Sequence, residues 1–142
     1  MAATITNKGK HSILAAYVAS NPDLRMGLLK TLASHANVPD INFIADMEAH
    51  ADFAELTVAG YARIALTGEA AAEDDTNDRA AIDSDSATTG NLAVGETIVG
   101  GFFYEHTGSD ATAKVIVIFD LASTPTNGGA ATVNIVDILR AS

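Results

Sequence analysis

The stretch AKVIVIFDL, residues 113–121, is apolar at consecutive as well as alternate positions. A strand of this kind carries hydrophobic side chains on both faces, so the rest of the chain has to cover both. It has company. From residue 57 onward the hydrophobic period is two, the spacing that places alternate side chains on one face of a strand. In TVAGYARIALTG (57–68), Ala62, Ile64 and Leu66 share one face and Tyr61 and Arg63 the other. NDRAAIDS (77–84), ETIVGGFFYEHT (96–107) and ATVNIVDIL (131–139) are further strand candidates, and Gly100-Gly101 marks a bulge or a close backbone approach. Turn-forming residues cluster at 85–91, 106–110 and 123–129. Short strands punctuated in this way predict a mainly β fold, an antiparallel β-sandwich or barrel-like core.

The first third of the chain reads differently. Residues 1–10 are small and polar and predict a flexible N-terminal arm, leaving 11–142 as a single β-rich domain. HSILAAYVAS (11–20) has Ile13, Leu14, Tyr17 and Val18 at helical spacing, and Asn21-Pro22 ends the pattern. DLRMGLLKTL (23–32) is ambiguous. Leu24, Leu28 and Leu32 would share a helix face, yet Leu24, Met26 and Leu28 also alternate as in a strand, and Gly27 disfavours a helix interior. VPDINFIADMEAHAD (38–52) predicts two turns of helix or a structured loop, with Asp40 as the cap and Ile41, Ile44 and Met47 as a buried stripe. One or two short helices therefore accompany the strands.

Charge narrows the function classes. The chain has 18 acids against 8 bases, a net charge of −10, and residues 69–86 hold seven of those acids and one base. A nucleic-acid binder needs cations to displace phosphate counterions, and no basic patch is written here. Only Lys8 and Lys10 make the N-terminal stretch weakly basic. No apolar run nears the about 20 residues that a membrane-spanning helix needs, and there is no signal-peptide pattern, so a soluble protein used without export is expected. Cysteine is absent, which removes thiolate and disulfide chemistry.

Two constellations could carry chemistry. EDDTNDRAAIDSDS (73–86) has six acids among its fourteen residues. Counted from Asp74 as a calcium hand, its sixth position is Arg79 where a glycine is required, so the pattern fails. A polar inter-strand loop running into a strand with outward acids fits better. In ADMEAHAD (45–52), Asp46, Glu48, His50 and Asp52 fall at every second position and could offer oxygen and imidazole to a divalent ion, though no recognised metal motif is completed. A solvated polar face is the plainer reading. No serine stands in GxSxG, and no glycine-rich loop has the strand and helix of a phosphate or dinucleotide site. Nothing reads as an active site, and no cofactor is expected.

Three stretches carry a resemblance. NVPDINFIADM (37–47) is similar to a Pro-Asp segment of small structural proteins from tailed bacteriophages. AGYARIALTGEAAAEDDTNDRAAID (59–83) resembles their Gly-Tyr-Ala-Arg strand, Leu-Thr-Gly turn and Asp-rich connection, and VIVIFDLASTPTNGGAATVNIVDILRAS (115–142) resembles their ending. GEAAAE has fewer β-branched residues than is usual there, and ADMEAHADFAEL is longer and more acidic. Several such proteins are capsid decoration, or cement, proteins. The resemblance implies a β-rich core, a strand at DLRMGLLKT, a helix at HSILAAYVAS beside the sheet, an acidic stretch joining two strands, and Asp83 and Asp85 on or near the surface. It also implies a non-enzymatic virion component, made in the host cytoplasm and placed on the head surface as a homotrimer. Its partners would be the major capsid protein and itself, not nucleic acid or membrane. Thr4, Ile5, Thr6, Asn7, Lys8 and Lys10 are the expected capsid-binding residues, chosen because a polar arm with two lysines suits a neighbouring surface. A head–tail connector or tail subunit is the first alternative. A metal-dependent hydrolase or carbohydrate-binding module built on Asp46, Glu48, His50 and Asp52 is the second.

Overall fold

Residues 24–32 settle as strand β1 (Leu24–Leu32), so alternation prevails over the helical reading. The reason lies across the sheet. Gly27 stands opposite Phe102, and a Cβ at Gly27 would lie 2.2 Å from the edge of that ring. The missing side chain makes room for an aromatic one, which a helix at this position would not meet.

The computed structural model describes residues 4–141. Helix α1 (Asn7–Ala19) leads into β1, and helix α2 (Ile44–Ala49) follows a 3-10 turn at Val38–Asp40. Strands β2 (Phe53–Glu55), β3 (Ile64–Ala65), β4 (Ala70–Asp74), β5 (Arg79–Asp83) and β6 (Ala87–Asn91) come next. Strands β7 (Thr97–Glu105), β8 (Lys114–Pro125), β9 (Ala130–Val133) and β10 (Leu139–Ala141) complete the chain. The main sheet has the order β2-β1-β7-β8, with β3 pairing β1 beside β2. A second sheet runs β10-β5-β4 and a two-stranded one pairs β6 with β9. Among the described residues every pairing is antiparallel and no sheet closes into a barrel.

Alternation along β1 and β7 divides the interior in two. Leu24, Met26 and Leu28 point with Phe103 into a core shared with Leu14 of α1 and Ile82 of β5. Leu29, Phe102 and Tyr104 point the other way, against Ile44 and Met47 of α2. The main sheet is thus covered on both faces at β1 and β7, and less completely at β8. Ile118 faces the α2 side, while Phe119 stacks on Phe103 at 4.7 Å on the other. Each fully buried Leu or Phe contributes about 1.5–3 kcal/mol to this arrangement.

Several expectations are corrected. The helix begins at Asn7, so the segment read as an arm through residue 10 ends four residues earlier; residues 1–3 lie outside the described ones. Thr6 is the reason, since its hydroxyl caps the helix by accepting the Gly9 N–H at 3.2 Å. Residues 57–68 form a strand only at Ile64–Ala65. The 85–91 stretch, read as a turn, contains β6. ATVNIVDIL is split into β9 and β10, with Asn134 bonded to Ser86 and Asp137 to Arg79 in between. Asp40 does not cap α2. That helix starts later, and Asp46 accepts the N–H of Phe43 at 3.0 Å instead. Strand β8 is only partly covered, with Ile118 its one buried residue, and it stands at the end of the sheet order.

Candidate functional site

The expected capsid-binding segment lies against the acidic hairpin. Thr4, Ile5 and Thr6 precede α1 and are exposed; Asn7, Lys8 and Lys10 form its first turn. Lysines at this end oppose the helix dipole, whose N-terminus is positive. The β4–β5 hairpin supplies the compensating groups. Lys8 Nζ lies 3.4 Å from Glu73, Lys10 Nζ donates to the carbonyl of Asp78 at 2.6 Å, and Asn7 donates to Asp75 at 3.2 Å. Leu14 is buried, and Tyr17 and Val18 pack beside it, so the helix is tied by an apolar face and a polar end.

The acidic stretch joins two strands as a tight hairpin. Asp74 closes the turn by accepting from the backbone and side chain of Asn77, at 3.2 and 2.7 Å, and from Arg79 at 2.8 Å. Those donors, Asn77 first, hold its carboxyl below the ordinary range. Asp78 takes a left-handed conformation, φ 52°, which aspartate tolerates better than most residues. Asp85 is exposed and accepts from Thr67 at 3.1 Å. Asp83 is half-buried, and one of its oxygens has no hydrogen-bond partner. Burial pushes its carboxyl up, the nearby Asp137 adds to that, and Arg79 opposes it.

The structure does not gather Asp46, Glu48, His50 and Asp52. Asp46 caps α2, Glu48 reaches Arg63 at 3.0 Å, and Asp52 accepts from Asn37 at 2.9 Å. His50 Nδ1 stands 3.7 Å from Asp52. Among the described residues no group of three or more His, Cys, Asp or Glu side chains is placed to hold a metal ion. No helix of the described residues is long and apolar enough to cross a membrane.

The densest polar network lies elsewhere, around the loop joining β2 to β3. Arg63 bonds Glu55 through two nitrogens, at 2.8 and 2.6 Å, and also meets Asp110 and Glu48. Its guanidinium lies over the rings of Tyr104 and Phe102, 5.4 and 5.8 Å from their centroids. The bonds to Glu55 raise its affinity for the proton further. Tyr61 donates to Glu55 and accepts the N–H of Leu28 at 2.9 Å; burial, then Glu55, pushes its phenol up. Glu96 accepts the N–H groups of Thr57 and Val58, at 2.7 and 3.1 Å, together with Lys30 and the Thr57 hydroxyl. Partial burial works against its charge, but these donors overcome it and hold the carboxyl at about 2.

These partners also explain why residues 57–63 are not a strand. The Glu96 carboxylate takes the N–H groups of Thr57 and Val58, and backbone bonds from Tyr61 to Val58 and from Ala93 to Ala59 bend the chain away from a ladder. Alternation had already put Tyr61 and Arg63 on one face, but Glu96, 39 positions from Thr57, left no local signal. The network holds the backbone N–H groups of Leu28, Thr57 and Val58 in place. No family model, no curated protein and no solved structure matches the chain.

Proposed function

We propose that this chain is a structural protein of a bacteriophage head that binds the outer surface of the major capsid protein shell as a homotrimer and stabilises it. The observation that carries this reading is the likeness of three stretches, 37–47, 59–83 and 115–142, to small phage structural proteins. The mainly β, antiparallel fold is the kind that likeness implies. The polar networks support a binding role over a catalytic one, because Asp46, Glu55 and Glu96 are engaged in fixing backbone and cations.

A ligand that binds only the assembled shell stabilises that shell by mass action. Modest individual contacts suffice, because trimerisation raises their effective concentration. Thr4, Ile5, Thr6, Asn7, Lys8 and Lys10 form the proposed contact, with the 56% exposed Ile5 as its apolar member. Lys8 and Lys10 would exchange their hairpin partners for acceptors on the shell.

Copy number in purified virions tests the reading. Near parity with the major capsid protein is expected. A small minority stoichiometry would move the protein to the connector or tail, and absence from virions would end the proposal. The double substitution Lys8→Glu and Lys10→Glu should abolish binding to purified shells while circular dichroism remains that of the native fold; unchanged occupancy would remove the lysines from the contact.

A further inference from the structure

Strand β8 ends the main sheet, and its outer edge is largely open. At its start Val115 donates to Asn42 at 3.0 Å and Lys114 bridges Phe43. Beyond that point no second strand pairs with residues 116–125 among the described residues. Proteins guard such edges with charges, proline or bulges. Here the guards over this span are Asp120, bulges at Ile116 and opposite the Ile98–Gly100 step, and Pro125 at the very end.

Beside this edge, between β8 and the returning segment 130–137, runs an open trough. One part, of about 410 Å³, is lined by Ile98, Leu121 and Ala131. A second, of about 240 Å³, is lined by Phe103, Val117 and Ile135, with Asp120 and Asp137 also in its wall. Leu121, Val133 and Asn134 border both parts, which makes them continuous. Val136, 70% exposed, stands at the far end.

Charge identifies the occupant. Residues 121–136 contain no acid, base or histidine, the longest such run in a chain of net charge −10. Two molecules that acidic repel wherever charged faces approach within a Debye length, about 8 Å at physiological salt. They meet without that cost only where both surfaces are neutral. A cationic partner, by contrast, would find no counter-charge in the run and better sites at 69–86. The larger part of the trough, walled by uncharged residues alone and set beside unpaired backbone, therefore suits a second copy of this chain presenting the same segment.

We infer that residues 116–136 form the self-association surface, set at the symmetry axis of a homo-oligomer. There each copy's neutral run covers the trough and open β8 edge of the next. The inference rests on the proposed self-assembly and adds the surface that performs it. Oligomeric state is measured in solution without shells, so failure of this surface and failure of the capsid reading appear in separate experiments.

The test is light scattering coupled to size exclusion on the full chain over graded concentration and salt. The native protein should be oligomeric, and salt should preserve or strengthen the assembly. Ala122→Glu combined with Val136→Glu places charges at two exposed positions and should yield a monomer, while Ile13→Glu on the 60% exposed site of α1 should leave the oligomer intact. Should the double variant fail to fold, hydrogen exchange of the native protein decides. Amides of residues 116–125 should be protected at high concentration and lose protection on dilution. A monomeric native protein, a folded double variant that keeps the native mass, or exchange independent of concentration would each overturn the inference.

Discussion

Acids crowd together in two regions of this molecule, and the two use them in opposite ways. Around residues 56–63, Glu55, Asp110 and Glu96 each face a cation or a backbone N–H, and the Glu55 side chain is only 14% exposed. At the β4–β5 turn, Asp75 and Asp78 stand in solvent, and the Lys8 that meets Glu73 is 76% exposed. The first group takes the place of a missing ladder. The second borders a hairpin whose own ladder is complete from Ala70↔Asp83 to Asp74↔Arg79. Density of charge along the sequence is therefore a poor guide to dependence on charge. The stretch richest in acids uses Asp74 to close its turn and leaves Asp75 and Asp78 in solvent, while scattered single acids hold the loop.

Removal of Arg63 should break the comparison most sharply. Arg63→Met keeps much of the apolar stem but leaves Glu55 and Asp110 without their cation, and stability should fall by about 3 kcal/mol in urea denaturation. A loss no larger than that of a surface pair would place the cage on the same footing as the hairpin.

Glu96→Gln should cost about 2 kcal/mol, because a charged acceptor of several hydrogen bonds is replaced by a neutral one. Its pH dependence sharpens the point. The folded carboxyl, held at about 2, lies below its ordinary value of 4.5, so its stabilisation is complete above that value and is lost as pH falls toward 2. The gap between native protein and variant should narrow across that window. A gap constant from neutral pH to acid would show that the carboxylate is not held.

The smallest effect belongs to the hairpin. Lys8→Gln or Asp75→Asn should change stability by less than about 0.5 kcal/mol, and by less still in high salt. Thermal melts at two ionic strengths would show it. A larger cost would mean that α1 relies on these groups more than on Leu14.

Much of the fold was legible where one element supplies its own signal. The alternation of 96–107, the both-sided run at 113–121 and the helical stripe from Ile13 to Val18 all recur as β7, β8 and α1. Legibility failed where a distant partner decides. Thr57 and Val58 look like strand residues until Glu96 takes their N–H groups, and 131–139 looks continuous until Asp137 turns toward Arg79. Strand β6 was hidden by its composition, since Ala87–Asn91 is written in turn-forming residues and is held by pairing with β9. The acidic hairpin was readable as a connection between strands, yet β4 within it, built of Ala and acids, gave no β signal. The polar network around Arg63 showed only as the shared face of Tyr61 and Arg63.

The empty position at Gly27 has a consequence for how the chain finds its fold. Strands β1 and β7 are separated by most of two other sheets in sequence, and such long-range pairings form late and can slip. A slip of two residues keeps every side chain on its proper face, so burial alone would not reject it. It would, however, set Phe102 against Arg25 or Leu29, where a side chain occupies the space that glycine leaves vacant. The ring and the gap work as a key and its slot, and a misaligned pairing is refused before the core can close over it.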